Sequence, residues 1–242
     1  MSKHLPKNVT ITGGLAGDNG KFIETLIAAN NFPESKNIAA IGFYGSRFKI
    51  GYGSKSGFVP FGPERIITRS ENNVLYELDG EPAFELYKRY LGNKIKDFST
   101  QCYYFPLLYK AKEMKDGVVR TILHFDEKAG SLTFAGDISI GSSARLMKAN
   151  IDSLVSGAEE AAINCTTQNN ENPELAILVS CVGRKIVMKQ RVEEEIEIVR
   201  DVFTPETTLT GFYSYGEIAP FGNSNFHHLH NQTMSITTIS ES

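Results

Sequence analysis

The chain runs to 242 residues, 41% hydrophobic and 22% charged, which suits one large globular domain or two ordinary ones around a real core. Its net charge is only −3, with Lys and Arg scattered, so no basic stripe exists to neutralise phosphates and nucleic acid is excluded as a partner. No apolar run approaches the roughly 20 residues that a membrane helix needs, which argues against a membrane partner.

Short β signals dominate the first part. Lys21 to Ala28 and Asn37 to Tyr44 read as strands on either side of a breaker stretch that ends at Pro33. Phe48 to Gly53 alternates Phe48, Ile50 and Tyr52 with small or polar residues, the pattern of a half-buried strand. Arg65 to Ser70 and Val74 to Leu78 flank Glu71-Asn72-Asn73, which predicts a hairpin. Pro82 then opens a helix with Ala83, Leu86, Tyr87, Tyr90 and Leu91 on one face, and Gly92 closes it. A boundary is expected in the polar stretch that follows, dividing the chain into domains 1–95 and 96–242.

The second part begins again with strands, at Tyr103 to Tyr109, Val118 to Phe125 and Ser131 to Phe134. Leu154, Ala158, Ala161, Ala162 and Cys165 share one side of a helix expected from about Ile151 to Cys165. Glu174 to Cys181 is a continuous apolar run, expected as a strand buried on both faces. Val192 to Phe203 reads as a second helix, and Leu209 to Tyr215 and Leu229 to Ile239 as closing strands. The order predicts an α+β fold: two strand-rich blocks with mixed or largely antiparallel sheets covered by helices.

Several motifs fail on inspection. The glycines from Gly13 to Gly20 suggest a phosphate loop, but Leu15 stands where a P-loop needs Gly and Phe22 where it needs Ser or Thr. Gly53-Ser54-Lys55-Ser56-Gly57 lacks the central Ser of a nucleophile elbow. His227, His228 and His230 with Glu217 could hold zinc, yet no Cys pair or second His-x-His supports a site, so no metal or other cofactor is expected. Cys102, Cys165 and Cys181 are odd in number and far apart, and Met1 to Asn8 lacks the apolar core of a signal peptide. Both observations point to the reducing cytoplasm.

The residues that carry chemistry lie near the end. Cys181 closes the apolar strand and Gly183 and Arg184 follow it, where a guanidinium fork could be presented to a carboxylate or phosphate. A bland reading competes: Cys181 as a small core residue, Arg184 in a surface ion pair. Tyr213 and Tyr215 share a strand face with Glu217 beyond them, a wall suited to an amine-bearing ligand or simply to filling a sheet.

Taken together, these segments resemble the FIST family of bacterial signalling proteins and certain eukaryotic F-box proteins. The likeness rests on Ser180-Cys181-Val182-Gly183-Arg184, Gly211-Phe212-Tyr213-Ser214-Tyr215-Gly216-Glu217-Ile218 and His230-Asn231-Gln232-Thr233. Upstream it rests on Leu78 to Ala83 with Tyr87 and Leu91-Gly92, and on Gly13 to Asp18. It covers the C-terminal domain from about Phe98 and the later part of the N-terminal one, so the expectation is a partial N-terminal FIST domain over 1–95 and a C-terminal one over 96–242. The resemblance implies a non-catalytic, cytoplasmic sensory module that binds a small molecule, amino acids among the candidates. Its signalling partner would be of histidine kinase, cyclase or chemoreceptor type. An amino acid would offer its carboxylate to Arg184 and its ammonium to Glu217, with Tyr213, Tyr215, His230, Asn231, Cys181 and Gly183 around it. Two rivals stand beside this reading: an interaction scaffold with an exposed apolar patch, and an enzyme using Cys181 or Glu217 with His230.

Overall fold

In the computed structural model, residues 4–6, 9–30, 32–169, 172–220 and 227–241 are described. The elements in chain order begin with β1 (Gly13–Gly14), β2 (Phe48–Lys55), β3 (Val59–Glu71), β4 (Val74–Leu78), β5 (Glu81–Pro82), α1 (Ala83–Leu91) and α2 (Phe98–Tyr104). There follow β6 (Leu107–Lys110), β7 (Val118–Arg120), β8 (Ile122–Asp126), β9 (Ser131–Phe134), β10 (Ser143–Lys148) and α3 (Ile151–Asn169). The last part holds β11 (Leu175–Cys181), α4 (Val182–Met188), α5 (Glu194–Val202), β12 (Thr208–Ser214), β13 (Glu217–Pro220), β14 (His227–His230) and β15 (Met234–Glu241).

These strands form an α+β architecture of three sheets among the described residues. The largest has the order β7-β6-β10-β3-β4-β9-β8, with β5 beside β4, and all its pairings are antiparallel. Its edge strands β7 and β8 are consecutive in the chain, separated only by Thr121. The sheet therefore rolls up until its two edges meet at Thr121, whose carbonyl accepts from Ala135 N at 2.9 Å. Leu75, Ile67, Ile122, Leu132 and Phe134 fill this roll, and α1 lays Phe84, Leu86 and Tyr87 against it.

The second sheet has the order β12-β11-β15-β2, with β11 and β12 parallel and the others antiparallel. Ala158, Ala161, Ala162 and Cys165 of α3 pack with Val199 and Phe203 against Ala176, Leu178, Met234 and Ile236. Glycine makes the closeness possible: a Cβ on Gly53 would lie 2.0 Å from the carbonyl oxygen of Ala161. Gly53→Ala should therefore force α3 off β2 and cost about 1–3 kcal/mol, as overpacked cores do, read as a lower midpoint in urea unfolding. Strands from before residue 95 serve both halves, since β2 pairs with β15, β3 with β10 and β4 with β9. The third sheet, β1-β13-β14, is small and carries Glu217 and His230.

Several expectations need correction. Lys21–Ala28 and Asn37–Tyr44 are not strands; only an isolated bridge joins Ile27 to Glu34, and Ile41 and Tyr44 are 85% and 88% exposed. Their residues have β propensity, but no neighbouring chain offers the ladder that propensity needs. Tyr103 and Tyr104 end a helix, and the strand begins only at Leu107 after Pro106. The predicted strand Leu229–Ile239 is broken at Asn231-Gln232-Thr233, where Gln232 takes φ 59 and the chain passes from the third sheet to the second.

Candidate functional site

The second and third sheets meet at Glu217. Its strand begins at a corner where β12 gives way to β13 through Tyr215-Gly216, and its register partner is His230. The carboxylate is fully buried. One oxygen accepts the Ser214 hydroxyl at 2.5 Å. The other accepts the Thr233 backbone N–H at 3.1 Å and the Thr233 hydroxyl at 2.7 Å. Burial pushes the carboxyl up to about 7, against the pull of these bonds and of the Arg184 charge. His230 is shifted the opposite way, down to about 4, chiefly because burial disfavours the imidazolium.

The break between β14 and β15 wraps over this carboxylate. Asn231 donates its amide to the His230 carbonyl at 3.0 Å, and Gln232 donates its amide to the Tyr103 carbonyl at 3.2 Å. The side-chain oxygens of Asn231 and Gln232 are both buried and have no hydrogen-bond partner among the described residues. Gln232 lies over Gly183, where an added Cβ would come 2.6 Å from that amide oxygen. Cys181 is buried at the same junction, and burial, reinforced by the Glu217 charge, pushes its thiol far up. Such burial disfavours the thiolate, the form in which a cysteine acts as a nucleophile.

Arg184 is placed by α4 directly after β11, and it is fully buried. Its Nε donates to Glu195 at 2.9 Å, and its terminal nitrogens donate to the carbonyls of Ser56 at 2.6 Å and Leu154 at 2.9 Å. Glu195 in turn accepts from the Ser180 hydroxyl and the Tyr213 phenol, each at 3.0 Å. Arg184 and Tyr213 thus converge on Glu195, whereas Glu217 has its own donors. The two charges are close enough for Arg184 to draw the Glu217 pKa down.

Tyr215 turns to the N-terminal arm. Its phenol donates to Asp18 and accepts the Gly20 N–H at 2.8 Å, while Phe22 stacks on its ring at 4.5 Å between centroids. Asp18 also accepts the N–H groups of Phe22, Ile23 and Glu24, and these bonds with Tyr215 hold its carboxyl well below the usual range. The glycines explain the approach. Gly14 pairs with Glu217 in register, and a Cβ there would lie 2.7 Å from Val179. The Gly13–Asp18 segment is therefore a strap across the Glu217 strand, not a phosphate loop.

The model of the FIST N domain matches residues 1–81, and that of the FIST C domain matches residues 83–220. The chain belongs to the FIST family. An uncharacterized protein of Methanocaldococcus jannaschii is 25% identical over 259 aligned positions that cover 97% of this chain and 50% of the relative. The chain thus spans about half the length of that curated relative.

FIST domains are associated with sensory roles in signal transduction. No helix among the described residues is long and apolar enough to cross a membrane. Neither is there among them a group of three or more His, Cys, Asp or Glu that could hold a metal ion; His227 instead accepts the Ile11 N–H at 2.9 Å. Of the residues that the FIST likeness singles out, Cys181, Gly183, Glu217, His230 and Asn231 gather at the corner, whereas Arg184 and Tyr213 bond Glu195 and Tyr215 bonds the N-terminal arm. Ser214, Gln232, Thr233, Tyr103 and Asp18 belong to the same surroundings, beyond the expected site residues. Four of them had a signal, since Asp18 stands inside the Gly13–Asp18 segment, Ser214 inside Gly211–Ile218, and Gln232 and Thr233 inside His230–Thr233. Tyr103 had none, because only the tertiary fold brings it there.

Proposed function

We propose that this FIST protein is a small-ligand-binding sensory module whose site takes an amine-bearing ligand, amino acids included, at the Glu217 corner. The single observation that carries the reading is the pair of buried, unpartnered side-chain oxygens on Asn231 and Gln232 beside the buried Glu217 carboxylate. Buried acceptors left unmade are costly, and an ammonium group offers the several donors that such oxygens and a carboxylate require. Glu217 supplies the negative charge, Asn231 and Gln232 the directional acceptors, and His230 the neutral wall. Arg184 enters as a positioning residue, fixing α4 and Gly183 beneath Gln232. The strap over Glu217 is the element whose position a bound ligand would report to a signalling partner of histidine kinase, cyclase or chemoreceptor type in the cytoplasm.

Calorimetry with methylammonium and a panel of amino acids tests this. Glu217→Gln, which keeps shape and an acceptor but removes the charge, should weaken binding about tenfold or more, the 1–3 kcal/mol of a charge-assisted bond. Unchanged affinity in that variant would remove Glu217 from the site. An interaction scaffold is the second reading, favoured by the exposed Ile23, Phe32, Ile38, Ile41 and Tyr44 of the N-terminal arm. It becomes the better one if no compound in the panel binds.

A further inference from the structure

Arg120 is a buried cation in search of a counter-ion. It ends β7, at the seam where the large sheet closes on itself, and it is 7% exposed. Its Nη1 donates to the Leu229 carbonyl of β14 at 2.7 Å, and its guanidinium stands 5.9 Å from the centre of the Tyr109 ring. No carboxylate among the described residues lies within ion-pair distance; Asp137 acts on it only at longer range. Its Nε–H is buried and has no acceptor among the described residues. Among the described residues the other deeply buried charges are answered: Arg184 and Glu195 by each other, and Glu217 by Ser214 and Thr233. An unpaired guanidinium costs several kcal/mol to bury, and its fork geometry matches a carboxylate.

The location narrows the choice of partner. The carbonyl that Arg120 holds belongs to Leu229, which directly precedes His230 and Asn231. The charge of Arg120 is felt by both His228 and His230. The guanidinium therefore sits against β14, beside the corner that bears Glu217. Gly136 makes the fit: a Cβ there would lie 2.9 Å from Nε and 3.0 Å from Cζ, so only glycine lets the fork lie where it does.

We infer that Arg120 is the anion-recognising residue of this protein, taking a small carboxylate through its unpartnered Nε–H at the junction of β7 and β14. The inference deepens the amine-site reading and rests on it for the ligand's other charge, since a zwitterion would then span from Glu217 to Arg120. The role that the sequence suggests for Arg184 passes to a different arginine, one that has no carboxylate of its own.

Sodium acetate and methylammonium chloride, titrated separately into the whole chain, distinguish the two claims. Ionic strength is held with a bulky sulfonate salt. Acetate should raise the melting temperature saturably and shift the Arg120 Nε–H resonance in a nitrogen–proton spectrum, a signal identified by its loss in Arg120→Lys. Inorganic phosphate in a third titration asks whether the site prefers a larger oxyanion. Arg120→Gln should abolish the saturable acetate response. Where that variant fails to fold, Gly136→Ala, at a residue outside the left-handed region, displaces the guanidinium while keeping its charge and should weaken acetate at least several-fold. No saturable acetate effect on the unaltered chain, or an equal effect in the variants, overturns the inference. If methylammonium still binds then, the amine site stands alone; acetate binding without methylammonium sinks the amine site and leaves the anion site.

Discussion

Arg184→Met should destabilise the fold by about 3–5 kcal/mol, the usual result of removing one partner from a buried ion pair. Both side chains of the Arg184–Glu195 pair have no exposed surface. The variant leaves Glu195 charged in the interior with only the Ser180 and Tyr213 hydroxyls as side-chain donors, and it removes the bonds that Arg184 gives to the carbonyls of Ser56 and Leu154. Urea unfolding measures the loss as a lower midpoint at unchanged slope. Arg184→Lys should recover little, because a single ammonium cannot reach Glu195 of α5 and the carbonyls of Leu154 in α3 and Ser56 just after β2. Arg184→Met with Glu195→Leu should be more stable than Arg184→Met alone, since no charge is then left unpaired. The same variants separate structure from recognition. An Arg184 that bound the ligand directly would lose affinity with little loss of stability; a positioning Arg184 loses stability first. A cost below 1 kcal/mol for Arg184→Met would contradict the buried pair.

That pair also shows where sequence reading reaches its limit. The apolar run before Cys181 and the alternation in Phe48–Tyr52 announce strands locally, because burial on one or both faces leaves a period in the sequence. The helix over Leu154 to Cys165 is legible for the same reason, although it runs on to Asn169. Nothing local says that Glu195, in a run of acids reading Glu193-Glu194-Glu195, is the one turned inward, while Glu194 bonds Arg191 at the surface. Helical spacing was available: Glu195 stands four residues before Val199, which is fully buried. A charged residue on an apolar face is nonetheless read as solvent-facing unless its partner is known, and Arg184 lies in another element. Lys21–Ala28 fails in the converse way, since its β-forming residues announce a strand for which no partner is present.

The corner itself was partly legible. Its glycines and the His230–Thr233 segment stand out in the sequence as family features, and they prove to be the strap, the cover and the break between two sheets. Arg120 left no trace, because its significance is an absence: a guanidinium without an acid can be recognised only when its surroundings are known. The closure of the large sheet at Thr121 is equally hidden, since Val118–Phe125 reads as one uninterrupted strand. Only strand order shows that its halves lie at opposite edges. Features set by local pattern are therefore readable one segment at a time, whereas the site depends on which segments meet.

Glu217 and His230, partners in one sheet, should impose opposed pH dependences on stability. Glu217 is raised from an ordinary 4.5 to about 7, so between these values the folded state holds a proton that the unfolded state has released. Its effect is a stability that falls as pH rises from 4.5 to 7, by up to about 3 kcal/mol for a shift of this size. His230 is lowered from 6.5 to about 4, so between 4 and 6.5 the unfolded state holds the extra proton and stability rises with pH. Burial lowers His227 and His228 too, in the same sense as His230. Across 4.5 to 6.5 the contributions oppose one another, and the unaltered chain should change little there on their account. Glu217→Gln, whose amide can accept from Thr233 and donate to Ser214, should unmask the histidine slope and gain stability relative to the unaltered chain as pH approaches 7. His230→Asn should do the reverse, leaving a steeper decline through the same window. Melting temperatures of the three proteins at half-unit steps from pH 4 to 8 decide the matter, because contributions common to all cancel in the differences. If the Glu217→Gln difference is flat with pH, the carboxyl titrates normally, and the corner is wetter and less constrained than its burial implies.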